Sequence, residues 1–113
     1  MASTPEKKVK EATKKTILNQ GGYMFYPVMN GMGTNGIPDI VACCDGYFAG
    51  IETKAGKNKP TKLQLIQLRK IYEAGGTALV ISEKNPHILQ QWIDCPDIQR
   101  TNIDFNTGEV LWD

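Results

Sequence analysis

Asp39, Glu52 and Lys54 are the residues of this chain whose types and spacing could do chemistry. They lie in segment 36–57, GIPDIVACCDGYFAGIETKAGK, where two runs of strand character flank Asp45-Gly46. Asp-Gly favours a two-residue turn, which pairs Cys44 with Tyr47 and fixes the sum of paired residue numbers at 91. Asp39 and Glu52 have the same sum, so they face each other on one side of the hairpin, their Cβ atoms roughly 4.5–5.5 Å apart. Lys54, two residues beyond Glu52, projects from that same face. Opposed like charges destabilise a ladder, and a shared proton, a basic residue or a divalent cation would relieve them. Lys54 could be that basic residue. The apolar neighbours Ile40, Val41, Phe48 and Ile51 favour a hard cation instead, held by the two carboxylates, a backbone carbonyl such as that of Thr53, and waters. Mg²⁺ usually keeps several waters. A lysine beside it could orient an attacking water and balance charge on a phosphorane-like transition state.

The elements that must position these groups follow from pattern. Thr4-Pro5 reads as a helix start, with Thr4 or Ser3 as cap, and the helix runs to about Asn19 before Gly21-Gly22 stops it. Val9, Thr13 and Ile17 form its apolar stripe, and Glu6 lies on that stripe and faces inward. Lys7, Lys8, Glu11, Lys14 and Lys15 take the opposite side, with Glu11 as a surface ion-pair residue. Residues 23–29 read as a first strand and 30–36 (NGMGTNG) as a loop. Strands 38–44 and 47–54 form the hairpin. Pro60-Thr61 opens a second helix, where Thr61-Lys62-Leu63-Gln64 matches a capping box. Leu65, Leu68, Ile71 and Tyr72 are that helix's apolar face, and Gly75-Gly76 ends it. A covered strand at 77–82, a short helix from Asn85 to about Ile93 and a hairpin-like tail at 101–113 complete the order.

With 113 residues, 41% of them hydrophobic and 22% charged, residues 1–113 suit one soluble α/β domain with a single core. The net charge of +1 hides two basic clusters, one at 7–15 and one at 54–70, of the kind that can meet phosphate. Cys43, Cys44 and Cys95 make no disulfide framework and read as small core fillers. No signal peptide or membrane-length apolar run is present, so a reducing cytoplasm is expected, with no membrane partner. A single histidine, His87, read as an early-helix surface residue, argues against zinc and paired-histidine chemistry. No GK[ST] loop exists for a nucleotide cofactor.

Pro38-Asp39 followed by Glu52-Thr53-Lys54 resembles the PD-(D/E)XK nuclease signature. More narrowly, GIPDIV, GYFAGIETKAGK, PTKLQ and GGTALVIS are similar to the VRR-NUC (virus-type replication-repair nuclease) family, over roughly residues 6–82. The resemblance implies an α-β-β-β-α-β core with a mixed sheet flanked by helices, and a Mg²⁺- or Mn²⁺-dependent endonuclease. It makes Asp39 and Glu52 metal ligands and Lys54 the catalytic lysine. It matches Gln64 to a helix glutamine facing the active site, and Glu6 to an acid on the first helix. It also implies a homodimer that resolves Holliday junctions in a bacterial or phage-infected cell.

Gln64 is equally explained by the capping box, and Glu6 by a capping box with Ser3. Gly31, Gly33 and Gly36 could permit a tight connection or let backbone approach a phosphodiester. Trp92, Phe105 and Trp112 could cover a sheet edge, form a dimer contact or sit in the core. Lys7, Lys14, Lys57, Lys59 and Lys62 are the candidate contacts to a DNA backbone. The readings that compete with a junction resolvase are a flap-, nick- or end-processing nuclease of the same chemistry, and a DNA-binding module without catalysis.

Overall fold

The computed structural model describes residues 4–28, 33–98 and 100–113. Helix α1 (Pro5–Asn19) begins where Thr4 Oγ1 accepts the Lys7 N–H and Pro5 takes the first helical position. Its buried residues are Val9, Thr13 and Ile17, the stripe that helical periodicity sets. Ser3 lies outside the described residues. With Thr4 as N-cap, Glu6 is the second residue of the helix and not the third, so it cannot close a capping box there.

Strands β1 (Tyr23–Phe25), β2 (Ile40–Cys44), β3 (Tyr47–Thr53) and β4 (Thr77–Ile81) form one sheet in that order. The first three are antiparallel, and β4 runs parallel to β3 after helix α2 (Lys62–Glu73). Helix α3 (Pro86–Asp94) follows. This is the expected α-β-β-β-α-β order with a third helix. The turn at Asp45-Gly46 has φ of 51° and 84°, the two positive values that a type I′ hairpin turn needs. Cys44 pairs with Tyr47 and Ile40 with Ile51, so the expected register holds along the strand.

Two strand boundaries differ from the sequence reading by two residues or more. The first strand stops at Phe25, short of the expected 23–29, because Pro27 has no N–H for the ladder; Met29 lies outside the described residues. The second strand begins at Ile40 and not at Pro38, for the same reason and because Asp39 turns its carboxylate toward Thr53. The tail folds back on itself as a minimal hairpin, as expected, with Asp104 N donating to Glu109 O and Leu111 N to Asn102 O, both at 2.8 Å. It makes one antiparallel bridge, Ile103 with Val110, and one parallel bridge to Ala78. The Asn102 amide stands in for a strand there, accepting from Val80 N and donating to Val80 O at 2.9 and 2.8 Å.

Two apolar clusters pack on the sheet. Ile17, Ile40, Ala49, Ile51, Leu79, Ile88 and Trp92 join α1 and α3 to it. Leu68, Ala78, Val80, Ile103 and Val110, with Tyr72, Phe105 and Trp112, join α2 and the tail. Trp92 is therefore core, and Phe105 and Trp112 pack half-buried under α2. Of the cysteines, Cys44 is buried, Cys43 is half-buried and Cys95 is exposed, so Cys95 is no core filler. His87 is exposed in the first turn of α3, as expected.

Candidate active site

At one end of the β2–β3 hairpin the ladder gives way to side chains. Lys54 N donates to Ile81 O across the parallel strand at 2.9 Å, which turns the Thr53 N–H toward β2. Continuing the register places Pro38 opposite Thr53, and proline has no N–H to offer the Thr53 carbonyl. Asp39 Oδ2 accepts both the Thr53 N–H, at 3.0 Å, and the Thr53 hydroxyl, at 2.8 Å. Asp39 is thereby fixed by the residue next to Glu52.

Glu52 is 2% exposed, and its two oxygens have different fates. Oε2 accepts from Gln64 Nε2 at 2.9 Å and lies 3.6 Å from Lys54 Nζ. Oε1 is buried with no hydrogen-bond partner, an expensive condition for a carboxylate. Burial pushes the Glu52 carboxyl up from its ordinary 4.5 to about 8. The charges of Asp39 and Glu6 push the same way, while Lys54 pulls down and is outweighed. The lysine pairs with the acid without neutralising the site.

Gln64 reconciles its two readings. Its Oε1 accepts the Thr61 N–H at 2.8 Å and its backbone N–H donates to Thr61 Oγ1 at 3.2 Å, a complete capping box. The other end of the same amide holds Glu52. Gly36 (φ 79°) lets the chain before Pro38 press against this helix start: a Cβ there would meet Leu63 and Gln64 backbone atoms at 2.6–2.9 Å. Its role is thus a close backbone approach, though to α2. A Cβ on Gly33 would meet nothing within 4 Å, and Gly31 lies outside the described residues.

The first turn of α1 closes the site from the other side. One carboxylate oxygen each from Glu6, Asp39 and Glu52 all lie within 4.8 Å of one another. Glu6 faces inward, as expected, but into the cleft and not the core, and it is exposed at the cleft's rim. The cleft, ≈ 550 Å³, is lined by these three acids, Thr53, Lys54 and Gln64, together with Lys7, Lys10, Glu11 and Tyr26 from the α1 side. The three-acid cluster fits a hard divalent cation: it supplies oxygen ligands only, and the orphaned Glu52 Oε1 is the buried atom such an ion would satisfy.

The basic candidates scatter. Lys7 lines the cleft, and Lys14 Nζ sits 5.6 Å from the centroid of the Tyr26 ring. Lys57 and Lys62 are exposed. Lys59 is engaged with Glu109 of the tail. Sequence reasoning missed Tyr26 and Lys10 as cleft residues. It also placed Glu11 in a surface ion pair, whereas Glu11 lines the cleft and forms no ion pair among the described residues. Lys10 stands one turn beyond Glu6, a spacing that could have revealed it. Tyr26 sits past the end of a strand, where no periodicity speaks.

Among solved structures the chain is similar to a VRR_NUC domain, at 21% identity and a TM-score of 0.67, over 82% of this chain and 98% of that one. It is also similar to Archaeoglobus fulgidus Hjc, a Holliday junction resolvase from an archaeal hyperthermophile, at 21% identity and a TM-score of 0.53. That match covers 65% of this chain and 64% of the resolvase, so the chain spans less than two thirds of its length. No family model and no curated relative matches the sequence. Both likenesses are of fold: the mixed four-stranded sheet with its flanking helices is the architecture of these nuclease and resolvase structures. Among the described residues no helix is long and apolar enough to cross a membrane.

Proposed function

We propose that this protein is a divalent-cation-dependent endonuclease that hydrolyses phosphodiesters in branched DNA, acting as a homodimer. The observation that carries the reading is Glu52: a buried carboxylate with an orphaned oxygen, facing Asp39 and Glu6 within 4.8 Å. A protein that only bound DNA would gain nothing from holding three acids together on a surface meant for phosphate.

Asp39, Glu52 and Glu6, with the Thr53 carbonyl, would hold Mg²⁺ or Mn²⁺. Such an ion supplies Lewis acidity toward a phosphoryl oxygen and lowers the pKa of a bound water. The chain's own groups do the rest. Thr53 and Gln64 each tie down one oxygen of Asp39 and Glu52, which leaves the remaining oxygens aimed and spares reorganisation when a ligand arrives. Lys54, 13% exposed at its side chain, can donate to the attacking water or to a non-bridging phosphate oxygen, stabilising the extra negative charge as the leaving oxygen departs. The likeness to a Holliday junction resolvase makes a four-way junction the first substrate to try. One chain carries one such site, so paired cuts on symmetry-related strands require a two-fold dimer.

The test is cleavage of a labelled four-way junction with Mg²⁺ or Mn²⁺, beside duplex, nicked and flap DNAs, with the Glu52→Gln protein as control. Paired symmetric cuts that vanish with Glu52→Gln are the expected result. Cuts confined to flaps or ends would keep the chemistry and replace the substrate. A folded protein that cuts nothing with either metal would overturn the reading in favour of a binding module.

A further inference from the structure

The α1 wall of the cleft holds a second arrangement, apart from the acids. Lys10 Nζ lies 4.6 Å from the centroid of the Tyr26 ring and Lys14 Nζ 5.6 Å from it, both within cation–π reach. Lys10 and Lys14 are one turn apart on the helix, and Lys7 stands a turn before Lys10. Like charges at this spacing repel, yet among the described residues none of the three lysines is in an ion pair. Glu6 and Glu11 line the same cleft, and among the described residues neither is in an ion pair with them. The hydroxyl of the same tyrosine is buried and has no hydrogen-bond partner. Burial and the charge of Glu11 together raise the Tyr26 pKa, so the phenol keeps its proton and remains a donor.

Two unpaired ammonium groups on one aromatic ring and a buried, idle O–H share a single deficiency, the lack of an anion with several oxygens. From this geometry we infer that Lys10, Lys14 and Tyr26 form a phosphate subsite, which takes the phosphodiester next to the one cut at the acid cluster. The inference rests on the nuclease reading above and deepens it. The step from Glu6 to Lys10 is four residues, about 6 Å along the helix, which is roughly one nucleotide of backbone. The subsite therefore orients the strand: it leaves the acid cluster along α1 toward the helix C-terminus. The ring acts as a platform that keeps the two ammonium groups in place before the phosphate arrives, and it limits the rotamer entropy lost on binding. The Tyr26 hydroxyl, which has no partner of its own, is the further donor for that phosphate.

The experiment is binding of a short fluorescent DNA duplex, followed by anisotropy over a salt series with EDTA present so that nothing is cut. Each phosphate contact contributes about 0.9 to the slope of log affinity against log salt. The Lys10→Gln/Lys14→Gln protein should lose about 1 from that slope and about tenfold in affinity at moderate salt. Tyr26→Phe should weaken binding several-fold with the slope intact, because a hydrogen bond is lost and no charge. Lys15→Gln, at a lysine that neither lines the cleft nor stacks on the Tyr26 ring, should leave the slope unchanged. Mn²⁺ calorimetry on the double lysine variant should match wild type and so separate the subsite from the acid cluster. If wild type binds DNA and the double variant keeps its slope, or Lys15→Gln lowers it equally, the subsite is wrong and the nuclease reading stands. If wild type shows no salt-dependent binding to DNA, both fall.

Discussion

The cleft has two walls built on opposite principles. On the hairpin wall, Glu52 and Thr53 are buried, and Asp39, Glu52 and Gln64 are linked by hydrogen bonds to backbone or to one another. On the α1 wall, Glu6, Lys7 and Glu11 are exposed, and no hydrogen bond joins their side chains to the rest of the site among the described residues. Burial forces the first wall to be rigid, because a desolvated carboxylate tolerates no wandering partner. Exposure leaves the second wall adjustable. Long charged side chains in water move freely and cost rotamer entropy to hold in one place. A nuclease that must fix its chemistry while accepting a variable backbone would divide its labour this way.

The largest test of that division is to neutralise the rigid wall. Asp39→Asn or Glu52→Gln should lower metal-dependent cleavage by about 10²–10³-fold or more and abolish the Mn²⁺ binding heat. Salt-dependent DNA binding in EDTA should survive, because it belongs to the other wall. A variant that loses DNA binding and cleavage together would dissolve the distinction between the walls.

The pH dependence sharpens it next. Glu52 titrates near 8 in the folded, metal-free protein, against an ordinary 4.5. Between those values the native state binds more protons than the unfolded one, so this group's contribution to stability is fullest below about 4.5 and is lost as pH rises to about 8. Glu52→Gln should flatten that trend in urea midpoints, and saturating Mn²⁺ should remove it. Metal binding must expel the proton, so apparent Mn²⁺ affinity should rise about tenfold per pH unit up to about 8, with proton release visible in buffers of different ionisation enthalpy. An affinity independent of pH would mean that Glu52 is not a ligand.

A smaller effect separates the two ends of Gln64. Thr61→Ala removes the helix cap while leaving Gln64 Nε2 to hold Glu52. It should cost about 1 kcal/mol of stability and change the cleavage rate by less than about threefold. Gln64→Ala removes both, so it should cost similar stability and about tenfold more in rate. Equal rates in the two variants would reduce Gln64 to a cap.

Much of the rigid wall was legible in sequence, and for a physical reason. A two-residue turn fixes the register of every pair behind it, so Asp39 could be set opposite Glu52 from Asp45-Gly46 alone. The capping box was legible as well, because it is a local bond pattern. Helix periodicity found Val9, Thr13 and Ile17. What escaped depends on how elements pack. That Glu6 is a rim residue, that Glu11 faces the cleft and that Tyr26 lies beneath Lys10 all follow from the angle at which α1 crosses the sheet, and no spacing within one segment encodes that angle. The reversal in the tail was legible from its turn residues, but its docking on β4 was not: Asn102 reaches Val80 with a side-chain amide, a contact that no alternation encodes.

Glu6 offers the finest test of the comparison, because it sits on the adjustable wall yet belongs to the acid cluster. Its place as the second residue of α1 removes a capping-box role, and its exposure means that little packing depends on it. Glu6→Gln should therefore leave the thermal midpoint unchanged while weakening Mn²⁺ binding and cleavage by about tenfold, less than either buried acid does. Glu11→Gln supplies the contrast. It lies one turn further along the same cleft but outside the cluster, so it should leave Mn²⁺ affinity alone and strengthen DNA binding slightly by removing a like charge from the phosphate path. If Glu6→Gln behaves as Glu11→Gln does, the metal is held by the hairpin alone, and the helix wall serves only the strand.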